Sequence, residues 1–250
     1  MSSKTQRGRF GLCLLVLLAC TACSPNQAAK SSATTAGDSE LNLVLDIVKA
    51  AEGDVERYEK AGGKATSPDN PARKWGDILW RYYELRRGSA AAGKAAENAL
   101  GALSYTGQSD VALAKMDSFR PDDPAWKQIV LTLLDAAEQK KEYAAFIRKV
   151  DSVQQQTKDK ETRATLLNAI GRAYRDQGDL GHARKALQAL IREAPESDYA
   201  KRAKADLYEM DSLNVGQNAP QFVTTAMHGQ RISLADLHGK VVLLRFWATW

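Results

Sequence analysis

The sequence predicts a mostly α-helical region built of helical hairpins, followed by the incomplete start of an α/β domain. Three observations carry that expectation. Apolar residues recur at three- and four-residue spacing almost without a break from Leu41 to Leu213, the period of helices that bury one face. At Val215 the period drops to that of strands, with turn residues between short runs. The last ten residues, "VVLLRFWATW", form a nearly unbroken apolar run of the kind buried on both faces of a sheet, and no later residue is there to pair with it.

Composition sets the outer limits. With 250 residues, 44% hydrophobic and 26% charged, the chain has enough apolar surface for a real core and is not a disordered polymer. A formal net charge of +5 would suit a polyanionic partner, but Lys4, Arg7 and Arg9 all lie in the first ten residues, and without them 32 basic residues face 30 acidic ones. So even a balance argues against a phosphate-tracking groove, and no nucleic-acid partner is expected.

Residues 1–40 are read as export and attachment signals. "MSSKTQRGR" is a positive n-region and "FGLCLLVLLA" an apolar h-region of about ten residues, too short to cross a hydrocarbon layer of roughly 30 Å. The "LLAC" at Leu17 to Cys20 resembles a bacterial lipobox. That resemblance implies a lipoprotein signal peptide over residues 1–19, with Cys20 as the diacylated N-terminus of an exported protein held at a membrane of the cell envelope and facing the periplasm. Cys23, in "CTAC", is the alternative lipidation site, although it would leave Cys20 where such signals usually carry Leu. A plain signal peptide containing incidental cysteines is the remaining reading. The three cysteines, Cys13, Cys20 and Cys23, all fall here, so the chain from Ser24 onward has no thiol and no disulfide. From Ser24 to Glu40, seventeen small and polar residues read as a flexible tether spanning on the order of 20 to 25 Å.

Residues 41–213 read as helices. Asn70-Pro71 and Asp123-Pro124 each pair a capping residue with a proline suited to a first turn, opening helices through "WGDILWRYYELRRG" and "AWKQIVLTLLDAAEQ". Between Leu166 and Pro195, "LLNAIGRAYRDQGDLGHARKALQALIREAP" places Gly171, Tyr174, Gly178, Ala183, Leu187 and Pro195 at the spacing of a tetratricopeptide repeat over residues 164–197, which it resembles. Tyr174 and Leu187 are then expected between two close antiparallel helices, with Gly178 in the turn. The hairpin from Trp126 to Gln156 has the helix lengths without the small-residue positions, and "DYAKRAKADLYEMD" reads as a helix capping the last apolar face. Trp75, Trp80, Tyr82 and Tyr83 either line a peptide groove or, as aromatics at helical spacing more often do, belong to the core. His182, His228 and His238 read as isolated, with no carboxylate or thiol neighbours, so no metal site is expected.

Residues 214–250 read as a strand, a turn at His228-Gly229, a second short strand, a helical turn at "LADL", a turn at Gly239 and the apolar run. The stretch resembles the start of the redoxin and TlpA/ResA-type thioredoxin-like domains of exported thiol-disulfide oxidoreductases, through "VGQNAPQF", "GQRISLADLHGK" and "VVLLRFWATW". Arg245 departs from that pattern, which usually carries a smaller or uncharged residue there.

The resemblance covers about 36 residues. It implies a thioredoxin-like fold and exchange with protein thiols or disulfides of the cell envelope. In that family the Cys-x-x-Cys pair directly follows the second tryptophan. This sequence does not contain it, so no catalytic residue, metal ligand or cofactor-binding residue is assigned, no cofactor is expected, and the 250 residues read as a fragment or truncated product without reductase activity. The alternative is a lipid-anchored helical-repeat scaffold or binding protein with no redox activity, whose repeat takes a protein partner. About 36 residues are also too few to bury both faces of the apolar run, so the segment is expected to stay exposed and to hold little fold of its own.

Overall fold

The structure, a computed structural model, describes residues 36–213, 215–245 and 247–248. The expected signal peptide, both candidate lipidation sites and most of the expected tether lie outside them. Helix α1 (Ala36–Lys60) opens the described chain, five residues before the boundary read at Leu41. Once nucleated by the apolar face beyond it, a helix extends at little cost, and Glu40 in this added turn pairs with Arg86.

Helices α2 (Pro71–Leu85) and α3 (Ala90–Tyr105) follow, then a short α4 (Ser109–Ala114) with a 3₁₀ turn at Lys115–Ser118. Next come α5 (Trp126–Lys140), α6 (Tyr143–Gln156), α7 (Lys160–Asp176), α8 (Leu180–Glu193) and α9 (Asp198–Ser212). Short polar residues set most of the starts. Asn70, Ser89, Asp159, Asp179 and Ser197 each accept a hydrogen bond from a backbone N–H of the first turn, satisfying donors that have no partner within the helix. Asp123 works differently from the expected cap. Its Oδ1 accepts from the Ala125 N–H at 2.9 Å, two residues on, and α5 begins only at Trp126.

Packing is between neighbours: α1 with α2 and α3, α3 with α2, α4 and α5, α5 with α6 and α7, and α7 with α6, α8 and α9. Helix α3 reaches the centre by being small. Its Ala91, Ala92, Ala95, Ala96 and Ala99 are all buried, which lets α2 and α5 approach its backbone. Between α2 and α5 sits a knot of aromatic rings, Trp80, Tyr83, Phe119 and Trp126, with neighbouring centroids 4.9 to 5.7 Å apart and tilted or edge-on. Each buried polar tip has a partner. Tyr83 Oη donates to Asp123 Oδ2 at 2.7 Å, and Trp126 Nε1 donates to the Arg120 carbonyl at 2.8 Å. Burial, and then the Asp123 carboxylate, push the Tyr83 hydroxyl well above its usual range, so it remains a donor.

The α7–α8 pair is the tightest fit in the second half. A Cβ on Gly171 would stand 2.9 Å from Leu187 Cδ2, and Leu187 and Ala183 are buried between α7, α8 and α9. Gly178, at φ +83°, makes the turn, with the Asp179 N–H returning to the Tyr174 carbonyl at 2.9 Å.

Two outcomes check this packing. Tyr83→Phe strips a buried carboxylate of one donor and should lower unfolding free energy by about 1–3 kcal/mol in a denaturant titration; a variant as stable as the parent contradicts the bond's role. Gly171→Ala, normally stabilising inside a helix, should instead cost about 1–3 kcal/mol by crowding Leu187. That cost should shrink when measured against a Leu187→Ala background, which itself loses about 2–5 kcal/mol.

Candidate functional site

The segment after α9 is built from turn chemistry. Strands β1 (Val223–Thr225) and β2 (Arg231–Ser233) pair antiparallel, Thr224 opposite Ile232. Their connection closes through Gly229 N–H to the Ala226 carbonyl at 2.9 Å and Ala226 N–H to the Gln230 carbonyl at 2.7 Å. Gly229 takes φ +78°, the left-handed position that a turn followed by a bulge needs. A 3₁₀ turn at Leu234–Leu237 follows, its first turn capped by the Ser233 hydroxyl, which accepts from Ala235 N–H at 3.2 Å. Gly239 then reverses the chain, and the Lys240 N–H closes on the Leu237 carbonyl at 3.0 Å. The expected strand, turn, strand and helical turn are all present, and none of the described residues from Val215 onward is buried.

The apolar run is exposed, as expected of a strand with too few residues around it to cover both faces. Residues 241–245 form no strand, and Leu243 and Trp247 are 89% and 77% exposed. Arg245 lies in the same exposed stretch. A central strand needs neighbours on both edges and layers on both faces, and the sheet among the described residues has only two short strands.

The helical region carries a second feature. A groove of about 310 Å³ lies among α6, α7 and α8, with Ile147, Leu167, Ile170 and Ala186 on its apolar side and Asp151 and Lys185 among its polar lining residues. On its wall the Tyr174 and His182 rings stack, centroids 5.0 Å apart. His182 is not the isolated histidine expected from sequence. Its Nδ1 lies 2.7 Å from Asp179 Oδ2, because a residue at the cap and one three positions on share the first turn. That spacing was legible in the sequence, and the pairing follows from recognising Asp179 as a cap. His228, at the hairpin turn, and His238, after the 3₁₀ turn, are both exposed. Among the described residues no three His, Cys, Asp or Glu side chains cluster to hold a metal ion.

Of the four aromatics read as groove or core, Trp80 and Tyr83 resolve as core and Tyr82 packs against it. Trp75 is half-buried with its Nε1 donating to Asp54 Oδ2 at 2.8 Å. Among the described residues no helix is long and apolar enough to cross a membrane.

No family model matches this chain. Short, dense similarity to known proteins does exist. The thiol-disulfide oxidoreductase ResA of Bacillus anthracis is 45% identical over 42 residues, 17% of this chain and 24% of that protein. ResA of Bacillus subtilis (strain 168) is 50% identical over 40 residues, 16% of this chain and 22% of that protein. The thioredoxin-like protein YneN of the same strain is 54% identical over 38 residues, 15% of this chain and 22% of YneN. The likeness is to thioredoxin-like proteins. The chain spans about a quarter of the length of these curated relatives.

The Asp179 carboxylate gives a pH prediction. The His182 N–H, and then its ring, hold the carboxyl below its ordinary 3.8. A carboxylate held low in the folded state contributes stability that is complete above the unfolded value and lost as pH falls through the folded one. In an NMR titration the His182 amide should therefore move with a midpoint below pH 3.8. A midpoint at or above that value contradicts the cap.

Proposed function

We propose that this chain carries the helical region and the opening of the thioredoxin-like domain of a thiol-disulfide interchange protein of the bacterial cell envelope, held to a membrane by a lipid on Cys20. The observation that carries the reading is the 45 to 54% identity to ResA and YneN over 38 to 42 residues, a length close to that of the segment from Val215 in which the strand, turn and 3₁₀ order occurs. The exposed run at Val241–Leu244 supports it further, because an apolar strand without neighbours is what the first part of a larger sheet presents.

In this reading the 250 residues are part of a longer product. The redox work belongs to a cysteine pair encoded directly after Trp250, where the first thiolate would attack a disulfide of an envelope protein. The helices α7 to α9 act as a tetratricopeptide-like unit and its cap, joined by the α5–α6 hairpin.

A second reading is a lipid-anchored scaffold whose helical region binds a protein partner without redox chemistry. It is favoured by two observations: residues 24–250 contain no thiol, and the groove beside Tyr174 has an apolar wall with polar groups around it.

Two experiments test the proposal. The first compares the 250-residue chain with a version extended through the next hundred or so codons of its gene, measured by reduction of insulin disulfides. The extended protein should reduce insulin and the 250 residues should not; an extension without Cys-x-x-Cys directly after Trp250 overturns the redox reading in favour of the scaffold. The second follows labelled palmitate, with each buried CH₂ of the acyl chains adding about 0.8 kcal/mol to membrane partition. Cys20→Ser should abolish labelling and release the protein from membranes. Label lost in Cys23→Ser and kept in Cys20→Ser moves the anchor to Cys23.

A further inference from the structure

Sulfur is scarce in this chain beyond its first residues. From Ser24 onward it has no cysteine, and its thioethers there are Met116, Met210 and Met227. These three sit in opposite surroundings. Met116 is 6% exposed within the core around Trp80 and Phe119, and Met210 is 8% exposed under α7, α8 and α9. Met227 is 99% exposed. It occupies the tip of the β1–β2 hairpin, inside the turn from Ala226 to Gly229.

We propose that Met227 is a site of selective oxidation, a surface thioether that takes up oxygen from peroxide-class oxidants while the fold around it stays intact. The step is a two-electron transfer. A lone pair of the thioether sulfur attacks one oxygen of hydrogen peroxide, the O–O bond breaks, the sulfur gains an S–O bond, and the other oxygen leaves as water after taking up the proton. Thioether sulfur is oxidised to the sulfoxide, and peroxide is reduced to water.

Two features of the hairpin suit it to this chemistry. Peroxide reaches the sulfur of Met227 without any opening of the protein, whereas Met116 and Met210 must first be exposed by local or global unfolding. The product is also tolerated. The turn is held by backbone hydrogen bonds, Gly229 to Ala226 and Ala226 to Gln230, and by the left-handed conformation of Gly229, none of which uses the Met227 side chain. A polar sulfoxide there stays in water, while the same change at Met116 or Met210 would place a polar S–O group in a buried, mostly apolar setting. Between Ser24 and Trp250 there is no thiol, and Met227 is the most exposed of the three thioethers there.

The test exposes the folded chain to hydrogen peroxide and follows oxygen addition at each methionine by peptide mass spectrometry, with Met1 resolved separately. Met227 should gain 16 Da on the order of tenfold faster than Met116 or Met210, following the ratio of their exposures. The singly oxidised protein should melt with the parent. In a Met227→Leu variant the fast addition should disappear while the slow ones keep their rates. Comparable rates at Met116 or Met210, a fast addition that persists in Met227→Leu at those two sites, or a lowered melting temperature after oxidation at Met227 alone would each overturn the proposal.

Discussion

One buried carboxylate sets where the second half of the helical stack begins. Asp123 accepts from the Tyr83 hydroxyl on one oxygen and from the Ala125 N–H on the other, so the side chain that ends the loop after α4 also fixes that loop against α2. Burying a carboxylate is costly unless it is hydrogen-bonded, and these two donors answer that cost while leaving Phe119 packed between Tyr83 and Trp126. Helix α5 leaves from this point to contact α3, α6 and α7. The ring knot and the start of α5 are therefore one structure rather than two.

The two parts of the chain differ because their contacts differ in sequence distance. In the helical region each apolar face is covered by a helix close by in the chain, as α8 covers α7 and α9 covers both. Such a stack closes its core step by step. The sheet segment lacks that option. A central strand is covered by elements placed on either side of it in space, and the two short strands among the described residues reach no further than one hairpin. Turn chemistry at Gly229 and Ser233 suffices to form the hairpin and the 3₁₀ turn, yet nothing local can bury Leu243 or Trp247.

The candidate sites were legible to different degrees. Cys20 and Cys23 are read from signal order alone, since that chemistry depends on sequence. The Asp179–His182 contact was within reach through cap spacing, and treating His182 as isolated missed it. The likeness to ResA and YneN rests on a stretch whose residue types and order are dense enough to be found without any structure. The groove beside Tyr174 was not legible, because its walls come from three helices separated by loops.

By itself the sequence determined the helical period from Leu41, the cap at Asn70, the turns at Gly178 and Gly229, and the change of period at Val215. These are local properties, decided by the backbone preferences and hydrogen-bonding reach of a few neighbouring residues. Only the tertiary structure decided that Trp80 and Tyr83 are core while Trp75 is half-buried, that α3 reaches the centre through its alanines, and that Gly171 is shaped to Leu187. The reason is physical: a residue's period says which way it faces along its own element, but burial depends on whether another part of the chain arrives to cover it.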